Sequence, residues 1–186
     1  DEVMQKIKGL ITDRLPAKTD EMERFLSENE VLLSRLKGIK VIDGETAVQY
    51  SMTGPVLRAA GVPYDIRRAD PYSVYDRFDF DVAVRYNGDL YDNYIIRVDE
   101  IRQSLRILEQ ATKKIPQGPI NSQKPQYQVR VPAGEAYGRI ESPKGELAFY
   151  VVSNGKPNLW RYHVRPASFV NITALEKICP GTKTAD

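Results

Sequence analysis

Apolar residues along the first part of the chain recur every three or four positions, the spacing of one face of an α-helix. Val3, Ile7, Leu10 and Ile11 form such a stripe over Glu2 to Arg14, and Pro16 is expected to end it. Thr19 or Asp20 can cap a second helix, with Glu23 as reciprocal partner. That helix carries Met22, Phe25, Leu26, Leu32, Leu33 and Leu36 and stops at Gly38. A short helix is expected over Gly44 to Tyr50. Thr53 to Asp70 reads as structured loop with a helical turn at Val56 to Ala60. The period then changes. Phe78, Phe80, Val82 and Val84 alternate with polar residues, so Tyr72 to Arg85 reads as turn and then strand, closed by the turn signal Asn87-Gly88.

The clearest helix spans Asp92 to Ile115, where Tyr94, Ile95, Val98, Ile101, Leu105 and Leu108 keep helical spacing and Glu109 and Lys113 can pair one turn apart. Pro116, Gly118 and Pro119 end it, and Asn121 to Gln126 is a polar connection. Strands are expected at Tyr127 to Val131, at Tyr137 to Glu141 with Leu147 to Ser153, and at Tyr162 to Arg165. Asn154-Gly155 is expected to turn between the last two, and Asn171 to Lys177 begins a final helix. The fold class is therefore α+β: helices first, then a small antiparallel sheet. The chain reads as a single domain, with a helical part over about 1–118 and a sheet-containing part over about 119–186. Its ends, Asp1 and the GTKTAD terminus, suggest a central piece excised from a longer protein.

Composition narrows the chemistry. With 27 Lys and Arg against 25 Asp and Glu, the net charge is +2, so bulk electrostatics give no case for nucleic-acid binding. No apolar run approaches the roughly 20 residues of a membrane-spanning helix. A dinucleotide fingerprint and a phosphate loop are both absent. His163 is the only histidine and sits in an expected strand, where a half-buried structural role is the simpler reading than a catalytic one. Cys179 is the only cysteine, so an internal disulfide and an all-cysteine metal site are excluded within this chain.

What remains is charge in unusual places. Arg58, Asp65, Arg67, Arg68 and Asp70 crowd one glycine- and proline-rich loop. Either Arg58 points into a cavity and holds an anionic or redox group, or these residues form ion pairs that fix the loop; the second is favoured. Arg102 and Arg106 are like charges one turn apart, unfavourable unless acids reach them from elsewhere, which suggests a paired face. In Glu141-Ser142-Pro143-Lys144-Gly145-Glu146, a turn between strands would present Lys144 from a rigid backbone.

Four stretches carry a resemblance: TGPVLRAAGVPYDIRRADPYSVYDRFDFDV, GDLYDNYIIRVDEIRQSLRILEQATKKIPQGPI, PAGEAYGRIESPKGELAFYVVSNGK and YHVRPASFVNITALE. They cover nearly all of residues 50 to 178 and resemble the hydrogenase-like large subunit of respiratory complex I, the D-type subunit of NADH-quinone oxidoreductase. The resemblance implies part of the nickel-iron hydrogenase large-subunit-like fold. It also implies a peripheral location on the cytoplasmic side of an energy-transducing membrane, packed against an iron-sulfur subunit among other complex I subunits. There, electrons tunnel from a 4Fe-4S cluster of the neighbouring subunit to quinone, coupled to ion translocation.

On this reading the fragment binds no metal or cofactor itself, contains no catalytic residue and has no turnover alone. The family's quinone-contacting histidine and tyrosine are expected upstream of Asp1. ESPKGEL resembles a motif shared with nickel-iron hydrogenases, in which an arginine usually stands where Lys144 does here; this leans toward a quinone-type protein. The connection from Gly118 to Val131 is shorter than in most complex I subunits and closer to membrane-bound hydrogenases and deazaflavin-linked dehydrogenases, which are the rival reading; a structural assembly module is another. Lys144, Arg58 and Arg165 are the candidates for charges facing the quinone cavity or the cluster, and Asp65, Arg67, Arg102 and Arg106 for a structural charge network. A cut domain should also expose apolar surface and self-associate.

Overall fold

The computed structural model describes residues 2–39, 41–119 and 131–183. Its spine is α7 (Leu90–Lys114), 25 residues and therefore roughly 37 Å long. Asp89 caps it, accepting from the Asp92 amide at 2.7 Å with one carboxylate oxygen and from the Gly38 amide at 3.0 Å with the other. Packed along α7 is a rod made of α1 (Glu2–Gly9), a π-helical segment (Leu10–Arg14) and α2 (Leu15–Ser27).

Pro16 does not end the first helix as its chemistry led us to expect. The chain stays helical at Gly9 and at Leu15, and Pro16 falls in the first turn of α2, where no amide donor is needed. The wider π turn just before it relieves the crowding that a proline ring imposes on the preceding turn. Neither Thr19 nor Asp20 is a cap. The Thr19 hydroxyl donates to the Leu15 carbonyl at 2.8 Å, and Asp20 and Glu23 reach across to Arg102. The break comes later, at Asn29, whose side chain accepts from the Leu32 amide at 3.0 Å and starts α3 (Glu30–Leu36).

Next come α4 (Gly44–Gln49), capped by Asp43, and the loop of short helices α5 (Pro55–Ala59) and α6 (Ile66–Ala69), the latter capped by Asp65. Helix α6 was not foreseen: four residues are too few for a period to register. The expected strand at Phe78 to Val84 is extended but joins no sheet. Its backbone is taken instead by side chains of α7: the Asp79 amide donates to Gln110 and the Asp81 amide to Gln103, each at 2.9 Å, and Gln110 donates back to the Asp79 carbonyl. The alternation is real, since Phe80 is buried between exposed Asp79 and Asp81, but it reports burial and not the pairing partner.

Strands β1 (Gly134–Ser142), β2 (Gly145–Ser153) and β3 (Arg161–Arg165) form an antiparallel sheet in that order, with Tyr150 opposite both Tyr137 and His163. His163 lies on β3 as expected but is exposed, not half-buried. The connection between β2 and β3 runs over residues 154–160, longer than a tight Asn154-Gly155 turn, although Gly155 does take positive φ. The connection over Asn121 to Gln126, and the strand expected at Tyr127 to Val131 save Val131 itself, lie outside the described residues. The final helix is two short ones, α8 (Ala167–Ile172) and α9 (Leu175–Ile178). They close a core of Ile42, Ala47, Met52, Leu57 and Ala174, with Ile178 packed against it.

Candidate functional site: a charged cleft beneath the Ser142–Gly145 hairpin

The β1–β2 turn is held by backbone contact. Thr53-Gly54-Pro55, the start of α5, lies directly on Lys144-Gly145, and a Cβ on Gly54 would fall 2.5 Å from the Lys144 carbonyl oxygen. Gly54 has φ +78° and Gly145 φ +127°, so both need glycine for conformation as well as for space. Thr53 Oγ1 accepts from the Glu146 amide at 3.0 Å, and Asn171 brackets the Thr53 backbone, accepting from its amide and donating to its carbonyl, each at 3.2 Å. Two glycine-containing motifs more than eighty residues apart therefore fix each other.

This junction sets Arg58, on α5, at the floor of a cleft of about 380 Å³. Its other walls are one face of α7 (Arg97, Glu100, Ile101, Ser104) and the strand end and turn from Glu141 to Lys144. Arg58 is 1% exposed. Its Nε donates to Glu100 Oε1 at 2.8 Å, its Nη1 to the Tyr64 carbonyl at 2.9 Å, and its Nη2 to Glu141 Oε1 at 3.0 Å and Glu100 Oε1 at 2.5 Å. Beneath it Asp65 is gripped by Arg67, which donates from Nη2 at 2.6 Å and from its own amide at 2.9 Å. Burial alone would push the Asp65 carboxyl up; the bonds and charge of Arg67, with the charge of Arg58, overcome this and hold it below its ordinary value. Burial pushes the Glu141 carboxyl up, and the charge of Asp65 adds to this against the pull of Arg58.

The sequence candidates separate into three places. Arg58, Asp65 and Arg67 form one buried cluster, and Lys144 stands exposed at the mouth of the same cleft. Arg165 is elsewhere: its guanidinium donates to the Glu146 and Ser51 carbonyls, each at 2.7 Å, and ties β3 to the Thr53 junction. Arg102 and Arg106 line the opposite side of α7, Arg102 with Asp20 and Glu23, Arg106 with Asp79 and Asp81. Acids from other elements thus reach both arginines.

Sequence reasoning did not single out Arg97, Glu100 or Glu141 for this cleft. A signal existed for the first two: positions 97, 100, 101 and 104 are spaced as one helical face. Among the described residues, no group of His, Cys, Asp and Glu could hold a metal ion, and no helix is long and apolar enough to cross a membrane.

A helical spine, a small antiparallel sheet and a glycine-pinned hairpin over a buried arginine define an α+β chain built around a charged cleft. The sequence matches the family described as respiratory-chain NADH dehydrogenase, 49 Kd subunit, over residues 1–130 and 126–186. The chain belongs to that family, whose fold is that of the nickel-iron hydrogenase large subunits. Among its relatives, it is 51% identical over its whole length to a D-type subunit of NADH-quinone oxidoreductase from Roseiflexus sp. (strain RS-1), covering 51% of that protein. It is 50% identical, again over its whole length, to the D-type subunit of NADH-quinone oxidoreductase from Dehalococcoides mccartyi, covering 50% of it. Identity to the corresponding protein of Carboxydothermus hydrogenoformans is 46% over 90% of this chain and 46% of that one. The chain therefore spans about half the length of these curated relatives.

Proposed function

We propose that this chain is the part of a D-type complex I subunit that lends a charged cleft to the quinone site, where electrons from a 4Fe-4S cluster of the neighbouring iron-sulfur subunit reduce quinone and drive ion translocation. Family membership supports the assignment to complex I. The single observation that supports the site is the pair Lys144 and Arg97: both line the cleft, and neither side chain has an ion-pair or hydrogen-bond partner among the described residues. Unpaired cations on a rigid turn and a rigid helix are suited to stabilising the negative charge that builds on a quinone or a cluster during reduction. In the intact complex the protein is peripheral, on the cytoplasmic side of the membrane, and the chain alone has no turnover.

Substituting Lys144→Gln in the intact complex tests this. Assembly is retained and quinone reduction falls roughly tenfold, about 1.4 kcal/mol of transition-state stabilisation. An unchanged rate would sink the role of Lys144, and loss of assembly would favour a module that only holds partners. A specific observation favours the holding role for Arg58, because each of its guanidinium nitrogens is already engaged by the protein's own groups.

We propose in addition that the isolated chain self-associates. Ile140, Phe149 and Tyr162 share one face of the sheet by strand alternation and are each more than 40% exposed. A scattering mass that stays monomeric at high concentration would count against it.

A further inference from the structure

The Ser142–Gly145 hairpin reaches past the end of β3. Strand β3 pairs with β2 only over Ala148 to Val152, whereas β1 and β2 stay paired down to Ser142 and Gly145. At Glu146, beyond the last β3 pair, side chains take the place of a third strand. The Glu146 amide donates to Thr53 Oγ1 at 3.0 Å, and the Glu146 carbonyl accepts from Arg165 Nη1 at 2.7 Å. The same guanidinium donates through Nη2 to the Ser51 carbonyl, also at 2.7 Å. Arg165 thus ties the main chain of the hairpin to the main chain just ahead of α5.

Three features set this arginine apart from a surface cation. Its hydrogen bonds go to neutral oxygens, and it makes no ion pair among the described residues, so its fork fixes a relative placement instead of neutralising an acid. The segments it joins hold positive-φ backbone: Ser51 at φ +52° and Gly54 at +78° on one side, Gly145 at +127° on the other. A residue with a Cβ keeps the conformation of Ser51 only where its surroundings over-determine it, and the bond from Arg165 to the Ser51 carbonyl is one such constraint. Finally, Asn171 of α8, six residues further on, brackets the Thr53 backbone from the same side of the chain. The tip held in this way, Ser142 to Lys144, is one wall of the cleft above Arg58.

We propose that Arg165 is a positioning residue for this cleft: it holds the Ser142–Gly145 hairpin in place over Arg58, and it acts on quinone reduction only through Lys144. The inference rests on the reading above in giving Lys144 a part in that reaction. It assigns Arg165 no contact with quinone or cluster. The fork geometry is what matters, since a lysine can supply the charge but cannot serve the Glu146 and Ser51 carbonyls together.

The test uses the intact complex, with two readouts: hydrogen exchange of the peptide that contains Ser142 to Glu146, and the rate of quinone reduction in a double-mutant cycle between Arg165→Met and Lys144→Gln. Arg165→Met should speed exchange in that peptide by about tenfold while the remainder of β2 stays protected. It should lower the rate roughly tenfold alone and add nothing to Lys144→Gln, because the two act as one unit. Arg165→Lys, the milder variant where Arg165→Met does not assemble, should speed exchange by less and recover only part of the rate. Unchanged exchange in Arg165→Met would overturn the proposal, as would losses that multiply in the double variant or a rate fully restored by Arg165→Lys, which would mean that charge alone counts. Faster exchange in Arg165→Met together with an unaltered rate in Lys144→Gln would uphold the placement of the hairpin by Arg165 and reject the part given to Lys144 in quinone reduction.

Discussion

Gly54 and Gly145 touch backbone to backbone: a Cβ on Gly54 would lie 2.4 Å from the Gly145 Cα, and one on Gly145 would lie 2.7 Å from Thr53 Oγ1. Nothing flexible can give way on the Gly145 side, because what Gly54 meets there is main chain. Gly54→Ala should therefore combine a conformation that costs about 1–3 kcal/mol for a residue with a Cβ and a main-chain displacement, and lower stability by more than about 3 kcal/mol. Gly38→Ala is the control. Gly38 has φ +76° but open space around it, so its loss should stay near the conformational term of about 1–2 kcal/mol. Denaturant unfolding of the purified chain measures both, and equal effects would show that the contact between the two loops carries no weight.

Arg58→Met removes the guanidinium that bonds both Glu100 and Glu141. Truncating one partner of a buried ion pair costs about 3–5 kcal/mol, since the remaining carboxylates keep their desolvation without compensation. Those acids can escape by taking up protons. The deficit relative to the unsubstituted chain should thus be largest near neutral pH and shrink as pH falls toward 5. Arg58→Lys restores the charge but not the fork that serves Glu100, Glu141 and the Tyr64 carbonyl together, and should recover less than half of the loss. A deficit that does not change with pH would mean the loss is one of packing.

Arg106 offers the opposite case. It pairs with Asp79 and Asp81, but its side chain is 41% exposed and both acids are 76% exposed. Arg106→Ala should change stability by no more than about 0.5–1 kcal/mol, and the change should vanish in molar salt. A loss comparable to that of Arg58→Met would show that the strap over residues 78–84 is held to α7 by this pair and not by Gln103 and Gln110.

Much of this arrangement could be read in the chain beforehand, and the gaps have physical causes. Helix α7 was legible because it buries one face and its period repeats over 25 residues, and the β1–β2 hairpin because two strand-like runs flank the Pro143-Lys144-Gly145 turn. The π segment before Pro16 was not, because proline chemistry alone predicts a stop and only packing against α7 keeps the rod continuous. The strap at Phe78 to Val84 kept a strand's alternation while its hydrogen bonds went to glutamine side chains, a choice made by tertiary contact. At the cleft, the residues of the two loops were conspicuous one by one. That Thr53-Gly54 sits on Lys144-Gly145 could not be inferred from either loop, since the contact joins positions about ninety residues apart. Glu141 escaped notice for the same reason: its Oε2, buried without a hydrogen-bond partner among the described residues, is a property of the assembled cluster.

Tyr64 gives a pH-dependent signature of that assembled site. Burial, then the hydrogen bond to Glu146 and its charge, push the Tyr64 hydroxyl from 10.0 up to about 12. The fold thus favours the neutral phenol. The corresponding stability is fully present below pH 10 and is lost as pH rises through about 12. Ultraviolet titration of phenolate absorbance should show a step near pH 12 that Tyr64→Phe removes, and should lose it in Glu146→Gln, where the anionic acceptor is gone and the hydroxyl ionises earlier. Unfolding experiments should agree in sign: Tyr64→Phe is less stable than the parent chain at pH 8, by about 1–2 kcal/mol for a hydrogen bond to a charged acceptor, and the two converge above pH 12. If the step near pH 12 survives in Tyr64→Phe, another tyrosine is responsible, and the bond from α5's flank to β2 is weaker than its 2.8 Å length implies.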